Sequence, residues 1–167
     1  MKISIIGCGY VGTVTGVCFA NFDHDIVFYD VDRTKLDLLA RGESPIYEPS
    51  LDDLIQKNRQ RLATTSDLTA AVCDTDITFI CVGTPSRDDG SIDLNYVLSA
   101  AATIGKALRD TPDFHPIILK STVFPGSTEG PIRSALEETS GKQAFVDFGL
   151  GSNPEFLREG SAVHDFC

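Results

Sequence analysis

The chain has 167 residues, with 24 acidic against 14 basic side chains and a formal net charge of −10. With 42% hydrophobic and 23% charged residues, it has the balance of a globular domain large enough to fold without staples, which excludes disordered and fibrous classes. Its longest apolar runs, such as Ile26–Tyr29, are four residues against the roughly 20 of a membrane-spanning helix, and its acidity repels phosphate backbones, so neither membrane nor nucleic acid is an expected partner.

Short β-prone runs alternate with helix-like stretches along the chain. Lys2–Ile6 predicts a first strand, and the turn after it leads into a helix with Val11, Val14, Cys18 and Phe22 on one face. Ile26–Asp30 predicts the second strand; Asp32 then caps a helix through Ala40 that Gly42 ends. Pro45-Ile46-Tyr47-Glu48-Pro49 reads as an extended connector. Leu62–Thr64 and Ile77–Val82 predict the next two strands, and Leu94, Val97, Leu98, Ala101 and Leu108 mark a longer helix capped by Asp93. Pro116–Lys120 predicts the fifth strand, Thr128–Glu138 a helix closed by Ser140-Gly141, and Ala144–Phe148 the sixth strand.

Most of these strand runs lack polar alternation, as strands covered on both faces do. Alternating β and α units imply an α/β fold: a doubly wound, mainly parallel six-stranded sheet with helices on both faces, one domain over residues 1–167. Ligands of such sheets gather beyond the carboxyl ends of the strands, here the turns after Ile6, Asp30, Val82, Lys120 and Phe148.

The first of those turns reads Gly7-Cys8-Gly9-Tyr10-Val11-Gly12, a G-x-G-x-x-G between strand and helix. Gly7 permits the tight turn, Gly9 lets a pyrophosphate approach the backbone, and Gly12 lets the helix pack closely. The helix N-terminus then offers unpaired N–H groups and the positive end of its dipole, which is how an acidic protein holds phosphates. Asp30 follows at the end of the second strand, where a carboxylate accepts from an adenosine ribose diol and repels a 2′-phosphate. The expected cofactor is therefore NAD, with Lys35 either at the ribose edge or on a solvated helix face.

Together with Pro45–Pro49, the blocks Cys81-Val82-Gly83-Thr84-Pro85, Lys120-Ser121-Thr122-Val123 and Ser152-Asn153-Pro154-Glu155-Phe156-Leu157-Arg158-Glu159-Gly160 resemble the UDP-glucose/GDP-mannose dehydrogenases, in family order and over the whole chain. The resemblance implies a Rossmann-type domain of enzymes that oxidise the C6 alcohol of a nucleotide sugar to a carboxylate with two NAD. It assigns NAD contacts to Gly7, Gly9, Tyr10, Val11, Gly12, Asp30, Lys35, Val82, Gly83, Thr84, Pro85, Ser121, Thr122 and Glu159. It assigns nucleotide-sugar contacts to Glu155, Phe156, Leu157, Arg158 and Glu159, with Arg158 open to a salt-bridged alternative. Glu155 is the implied acid/base and Thr122 the residue that positions water when a cysteine thioester is hydrolysed.

Five cysteines are present. Cys8, Cys18, Cys73 and Cys81 read as buried structural thiols, and Cys167 stands apart as the last residue; none has the Gly-Phe-Gly-Gly-x-Cys setting of the family nucleophile. His24, His115 and His164 fall outside the matched blocks and read as structural or exposed, Asp88-Asp89 as solvated loop acids, and no metal is expected. The resemblance implies a central helix and a C-terminal substrate domain beyond this sequence, a homodimer for the whole enzyme and a monomer for this chain, which then binds NAD without turnover and leaves an apolar patch near Cys167. A free-standing NAD-binding module and a non-functional truncated product are the alternatives, and the Asn153–Leu157 block argues against the β-hydroxyacid dehydrogenases. UDP-glucose is the favoured substrate from Glu159–Ala162 and GDP-mannose the alternative from Val146–Gly149. Strand residues beginning at Ile3 leave no room for a signal peptide, so a cytoplasmic location is expected.

Overall fold

A computed structural model describes residues 1–166; Cys167 lies outside the described residues. Six strands, β1 (Lys2–Ile6), β2 (Asp25–Tyr29), β3 (Leu62–Thr65), β4 (Ile77–Ile80), β5 (His115–Leu119) and β6 (Phe148–Ser152), form one sheet in the order β3-β2-β1-β4-β5-β6. Every pairing is parallel. The strand order reverses between β1 and β4, so the connections leaving their carboxyl ends diverge and open a crevice.

Side chains alternate across the pleat. Ile3, Ile5, Ile26, Phe28 and Phe79 pack on one face with α1 (Tyr10–Asn21), α2 (Arg33–Arg41), α3 (Leu51–Lys57) and α7 (Ala162–Phe166). Ile6, Val27, Ile80, Ile117 and Leu119 pack on the other with α4 (Leu68–Cys73), α5 (Asn95–Arg109) and α6 (Arg133–Ser140). The chain is thus an α/β, doubly wound sheet with helices on both faces.

The predicted caps hold for α2: Asp32 accepts from Thr34 N at 2.9 Å, and Gly42 ends the helix in the left-handed region. Asp93 lies one residue ahead of the cap position of α5 and accepts from Asn95 N at 2.9 Å. Helix α1 departs from its expected single apolar face. Its residues from Gly12 to Cys18 are all buried, because α3 and α7 cover the side turned from the sheet, while Phe22 ends the helix and is exposed. The expected helix over 128–138 opens as a π turn, Thr128–Ile132, before α6.

The sixth strand is a correction. Ala144–Phe148 carries strand-forming residue types, yet only Phe148 belongs to β6. Phe145 takes a φ of 67° and donates to Phe148 O at 2.7 Å, and Asp147 accepts from Gln143 N at 2.8 Å, so the segment closes as a turn. Register with β5 runs instead from His115↔Phe148 to Leu119↔Ser152, which moves Asn153 to the mouth of the sheet. Cys73 is a second correction: Cys8, Cys18 and Cys81 are buried, but Cys73 ends α4 and is exposed beside Thr111. Helices α3, α4 and α7 were absent from the sequence expectation.

At the opposite end of the sheet a buried polar chain crosses three strands. His115 Nε2 lies 2.8 Å from Thr78 Oγ1, Thr78 lies 2.7 Å from Ser4 Oγ, and Thr75 donates to Ser4 at 3.1 Å. Burial holds His115 below its usual 6.5. Below that value the unfolded chain takes a proton that the folded one resists, so stability falls as pH drops from about 7 into the range below 6.5. His115→Gln is expected to flatten that slope in urea-denaturation midpoints taken across the window. An unchanged slope would locate the pH sensitivity elsewhere.

Candidate functional site

Beyond the carboxyl ends of β1, β2 and β4 lies a cleft of about 340 Å³ whose lining includes Gly7, Gly9, Asp30, Lys35, Val82 and Gly83. The three glycines differ in what they permit. Gly7 has a φ of +104°, and a Cβ there would stand 2.8 Å from Cys81 O. A Cβ on Gly12 would stand 1.9 Å from Gly7 O, so only glycine lets α1 sit on the turn, whereas one on Gly9 would meet nothing within 4 Å. The turn is therefore closed on its protein side and open on its cleft side. Thr13 N makes the first helical bond, to Gly9 O at 2.9 Å. The N–H groups of Tyr10, Val11 and Gly12 precede it and have no carbonyl one turn back to bond.

Asp30 is buried and joins two turns: Oδ2 accepts from Cys8 N at 2.6 Å, and Oδ1 from Asp32 N at 2.9 Å. Lys35 Nζ stands 3.7 Å from Oδ2. A carboxylate accepts about four hydrogen bonds, so Asp30 keeps free lone pairs toward the cleft. The opposite wall was not foreseen. Tyr96, Ser99, Ala100 and Thr103, at the i, i+3, i+4, i+7 spacing of one face of α5, line it with Leu68 and Val31; the mixed small and polar character of that face was the available signal.

The loops after β4 and β5 are stitched together. Ser121 Oγ donates to Val82 O at 2.7 Å, Thr84 Oγ1 donates to Thr122 O at 2.7 Å, and Pro85 O accepts from Asp93 N at 2.8 Å. Thr122 is exposed and Glu155 half-buried on the adjoining loops after β5 and β6. Glu155 Oε1 accepts from Leu157 N at 2.7 Å, which fixes the carboxylate against its own loop. Phe156 is 82% exposed and Glu159 is exposed, while Leu157 packs on the core. Arg158 is taken up by Asp165 in a two-point fork of 2.6 and 3.0 Å. That fork holds the Asp165 carboxyl well below the usual carboxylate range.

Two buried charges anchor this loop, and sequence reasoning gave neither a role. Lys120, at the end of β5, donates to Asn153 Oδ1 at 2.9 Å; its burial lowers its pKa, against the opposing pull of Cys81 and Glu155. Glu48 accepts from Gly160 N and Ala162 N, each at 2.8 Å, and from the Tyr10 hydroxyl. Burial raises the Cys8 thiol, and takes Cys81 up to about 12, so both stay protonated and poorly nucleophilic at neutral pH. Among the described residues no group of three His, Cys, Asp or Glu is placed to hold a metal, and no helix is long and apolar enough to cross a membrane.

A parallel sheet with this fingerprint turn, and an acid at the end of β2, defines a dinucleotide-binding Rossmann domain. The model of the UDP-glucose/GDP-mannose dehydrogenase family, NAD binding domain, matches residues 1–167, and the chain belongs to that family, with NAD as its cofactor. It is 46% identical over 168 residues to a GDP-mannose 6-dehydrogenase of Pseudomonas aeruginosa, covering 99% of this chain and 38% of that protein. It is 47% identical over 169 residues to a UDP-glucose 6-dehydrogenase of Rhizobium meliloti, covering 99% and 37%. A crystal structure of a ternary complex of the P. aeruginosa GDP-mannose dehydrogenase superposes with a TM-score of 0.97 at 46% identity, over 99% of this chain and 38% of that one. The chain thus spans well under half the length of these relatives.

Gly12→Ala is expected to lower stability by about 1–3 kcal/mol, the range for overpacked sites, and to abolish NAD binding. Urea denaturation and calorimetry check the two effects. Wild-type values for both would show that α1 does not depend on its 1.9 Å approach to the turn.

Proposed function

We propose that the chain is the cofactor-binding part of a nucleotide-sugar 6-dehydrogenase, binding NAD in the cleft and lacking turnover without a partner domain that carries the catalytic thiol. The observation behind this is the pairing of an open Gly9 with a carboxylate that retains free acceptor sites. When bound, NAD accepts hydride from the sugar carbon. The N–H groups at the start of α1 hold the pyrophosphate, the free lone pairs of Asp30 take the adenosine ribose diol, and Lys35 lies at the ribose edge. Val31, Leu68 and the small-residue face of α5 suit the flat adenine.

Toward the substrate, Glu155 moves a proton for the hydrolytic water that Thr122 orients, and Phe156 to Glu159 border the nucleotide sugar. GDP-mannose is the better supported sugar nucleotide, because the P. aeruginosa enzyme superposes at a TM-score of 0.97 and a UDP-glucose dehydrogenase from Pyrobaculum islandicum at 0.92. UDP-glucose, favoured by Glu159–Ala162, is kept as a second reading by the 47% identity to the R. meliloti enzyme.

Calorimetry is expected to give NADP⁺ binding at least about tenfold weaker than NAD⁺, since like charges in contact cost several kcal/mol; equal affinities would remove Asp30 from selectivity. The same preparation should give no sustained NADH with GDP-mannose or UDP-glucose, and continuous turnover would refute the division of function. In an enzyme carrying this domain together with the thiol, Glu155→Gln should slow acid release by about 10²-fold, the lower range for a general base, while sparing the first oxidation. Stopped-flow NADH traces that keep both phases at wild-type rates would exclude Glu155 from hydrolysis.

A further inference from the structure

The carboxylate of Glu48 sits where two distant parts of the chain meet. It is 5% exposed although it lies in a connector between α2 and α3. On one side it accepts from the hydroxyl of Tyr10, the first residue of α1 and a member of the fingerprint turn. On the other it accepts from Gly160 N through Oε2 and from Ala162 N through Oε1, both at 2.8 Å. Those two amides close the loop that begins at Asn153 and carries Glu155 and Glu159. The Tyr10 hydroxyl reinforces the junction, accepting from Gly160 N at 3.3 Å and lying 3.4 Å from Arg158 O.

The chemistry of the junction is one-sided. No Lys or Arg pairs with Glu48 among the described residues; its charge is met by O–H and N–H donors alone. Burial works against the charge, but the bonds from Tyr10, Gly160, Ala162 and Val163 outweigh it and keep the carboxyl below its ordinary range. The same contact, after burial, pushes the Tyr10 phenol up to about 12. A charged acceptor fixed by donors from both sides transmits displacement better than a flexible ion pair, because each bond is short and directional. Lys120 holds the other end of the loop at Asn153, so the Glu48 end is where the fingerprint turn has purchase on it.

We infer that Glu48 is a positioning residue that couples occupancy of the fingerprint turn to the conformation of the Asn153–Gly160 loop. The inference rests on the dinucleotide reading of that turn. NAD at Gly9 shifts the first turn of α1, Tyr10 carries the shift to Glu48, and Glu48 passes it to Gly160 and Ala162. The carboxylate at position 155 is thereby set in register with the bound dinucleotide.

The test is amide-resolved NMR of the chain with and without NAD⁺, in wild type, Tyr10→Phe and Glu48→Gln. In wild type, NAD⁺ should move the resonances of Gly7 and Gly9 and also those of Gly160 and Ala162. Tyr10→Phe leaves both backbone bonds of Glu48 in place but removes the hydroxyl's bonds to Glu48, to Gly160 N and to Arg158 O, and so cuts the turn from the loop. There Gly7 and Gly9 should still respond, while the response at Gly160 and Ala162 falls about fivefold or more. Glu48→Gln turns a donor toward one of the two amides, and their hydrogen exchange should quicken about tenfold even without NAD⁺, as expected for a lost charge-assisted bond. The NAD⁺ response at Gly160 and Ala162 should also fall in Glu48→Gln; a response of wild-type size there would overturn the role of Glu48 and leave the direct contact of the Tyr10 hydroxyl with Gly160 N as the link. Should Glu48→Gln fail to fold, Glu48→Asp, with its carboxylate one methylene shorter, takes its place under the same criterion.

An undiminished response at Gly160 and Ala162 in Tyr10→Phe would overturn the coupling, because it would mean direct contact of NAD with the loop, for example through Glu159. So would a wild type in which Gly7 and Gly9 respond and Gly160 and Ala162 do not. If Gly7 and Gly9 themselves fail to respond, the dinucleotide reading falls, and the coupling with it.

Discussion

The contact between α1 and the turn that precedes it sets the geometry of everything at the carboxyl end of the sheet. Position 12 stands so close to Gly7 O that a β-carbon there would overlap it at 1.9 Å. This approach brings the unbonded N–H groups of the first helical turn onto the crevice where the strand order reverses. It also lets the backbone of Cys8 reach Asp30 on the neighbouring strand at 2.6 Å. One buried carboxylate thus locks the first two strand-to-helix turns together and still keeps acceptor capacity for a ligand. A net charge of −10 is compatible with anion binding because the positive potential here comes from aligned peptide dipoles rather than from a basic surface.

The same economy explains what could be read from the sequence. Strands buried on both faces announce themselves as continuous apolar runs, and β1, β2 and β4 were placed to within a residue or two because their neighbours impose no exception on that pattern. Asp32 and Gly42 were legible because caps act through bonds two to five residues away. Residues 144–148 misled for the complementary reason. Ala, Phe, Val and Phe fit a strand locally, but the register that matters is set by His115 and Leu119 on β5, and Phe145 at a φ of 67° turns the chain before pairing begins. Local composition does not contain that information.

The site divides along the same line. Gly7, Gly9, Gly12 and Asp30 could be placed at the first turn and just past β2 because that placement follows from spacing within one βαβ unit. Glu48 was not, since its partners Gly160 and Ala162 lie more than a hundred positions away and nothing in Pro45–Pro49 marks its carboxylate as buried. Lys120 was legible only as one residue of the Lys120–Val123 motif, for its partner Asn153 is set by strand pairing rather than by spacing. The α5 wall of the cleft was hidden because Tyr96, Ser99, Ala100 and Thr103 are unremarkable as helix residues and acquire meaning only opposite Val31 and Leu68.

The charged groups around the loop after β6 form a graded set. Asp165 and Arg158 neutralise each other in a fork near the surface, a pairing that solvent and salt weaken. Lys120 and Glu48 are buried and unlike the fork: each is satisfied mainly by neutral groups, an amide oxygen for the cation and O–H and N–H donors for the anion. Neutral partners leave a net local field, positive near Asn153 and negative near Gly160, at the two ends of the segment that bears Glu155. Glu155, with Oε1 bound to Leu157 N, is tied to its own loop, so a displacement of the loop at either anchored end carries the carboxylate with it. Burying such charges costs stability, a cost offset here by the hydrogen bonds each makes and by the close-packed α1 turn on one side and β5 on the other.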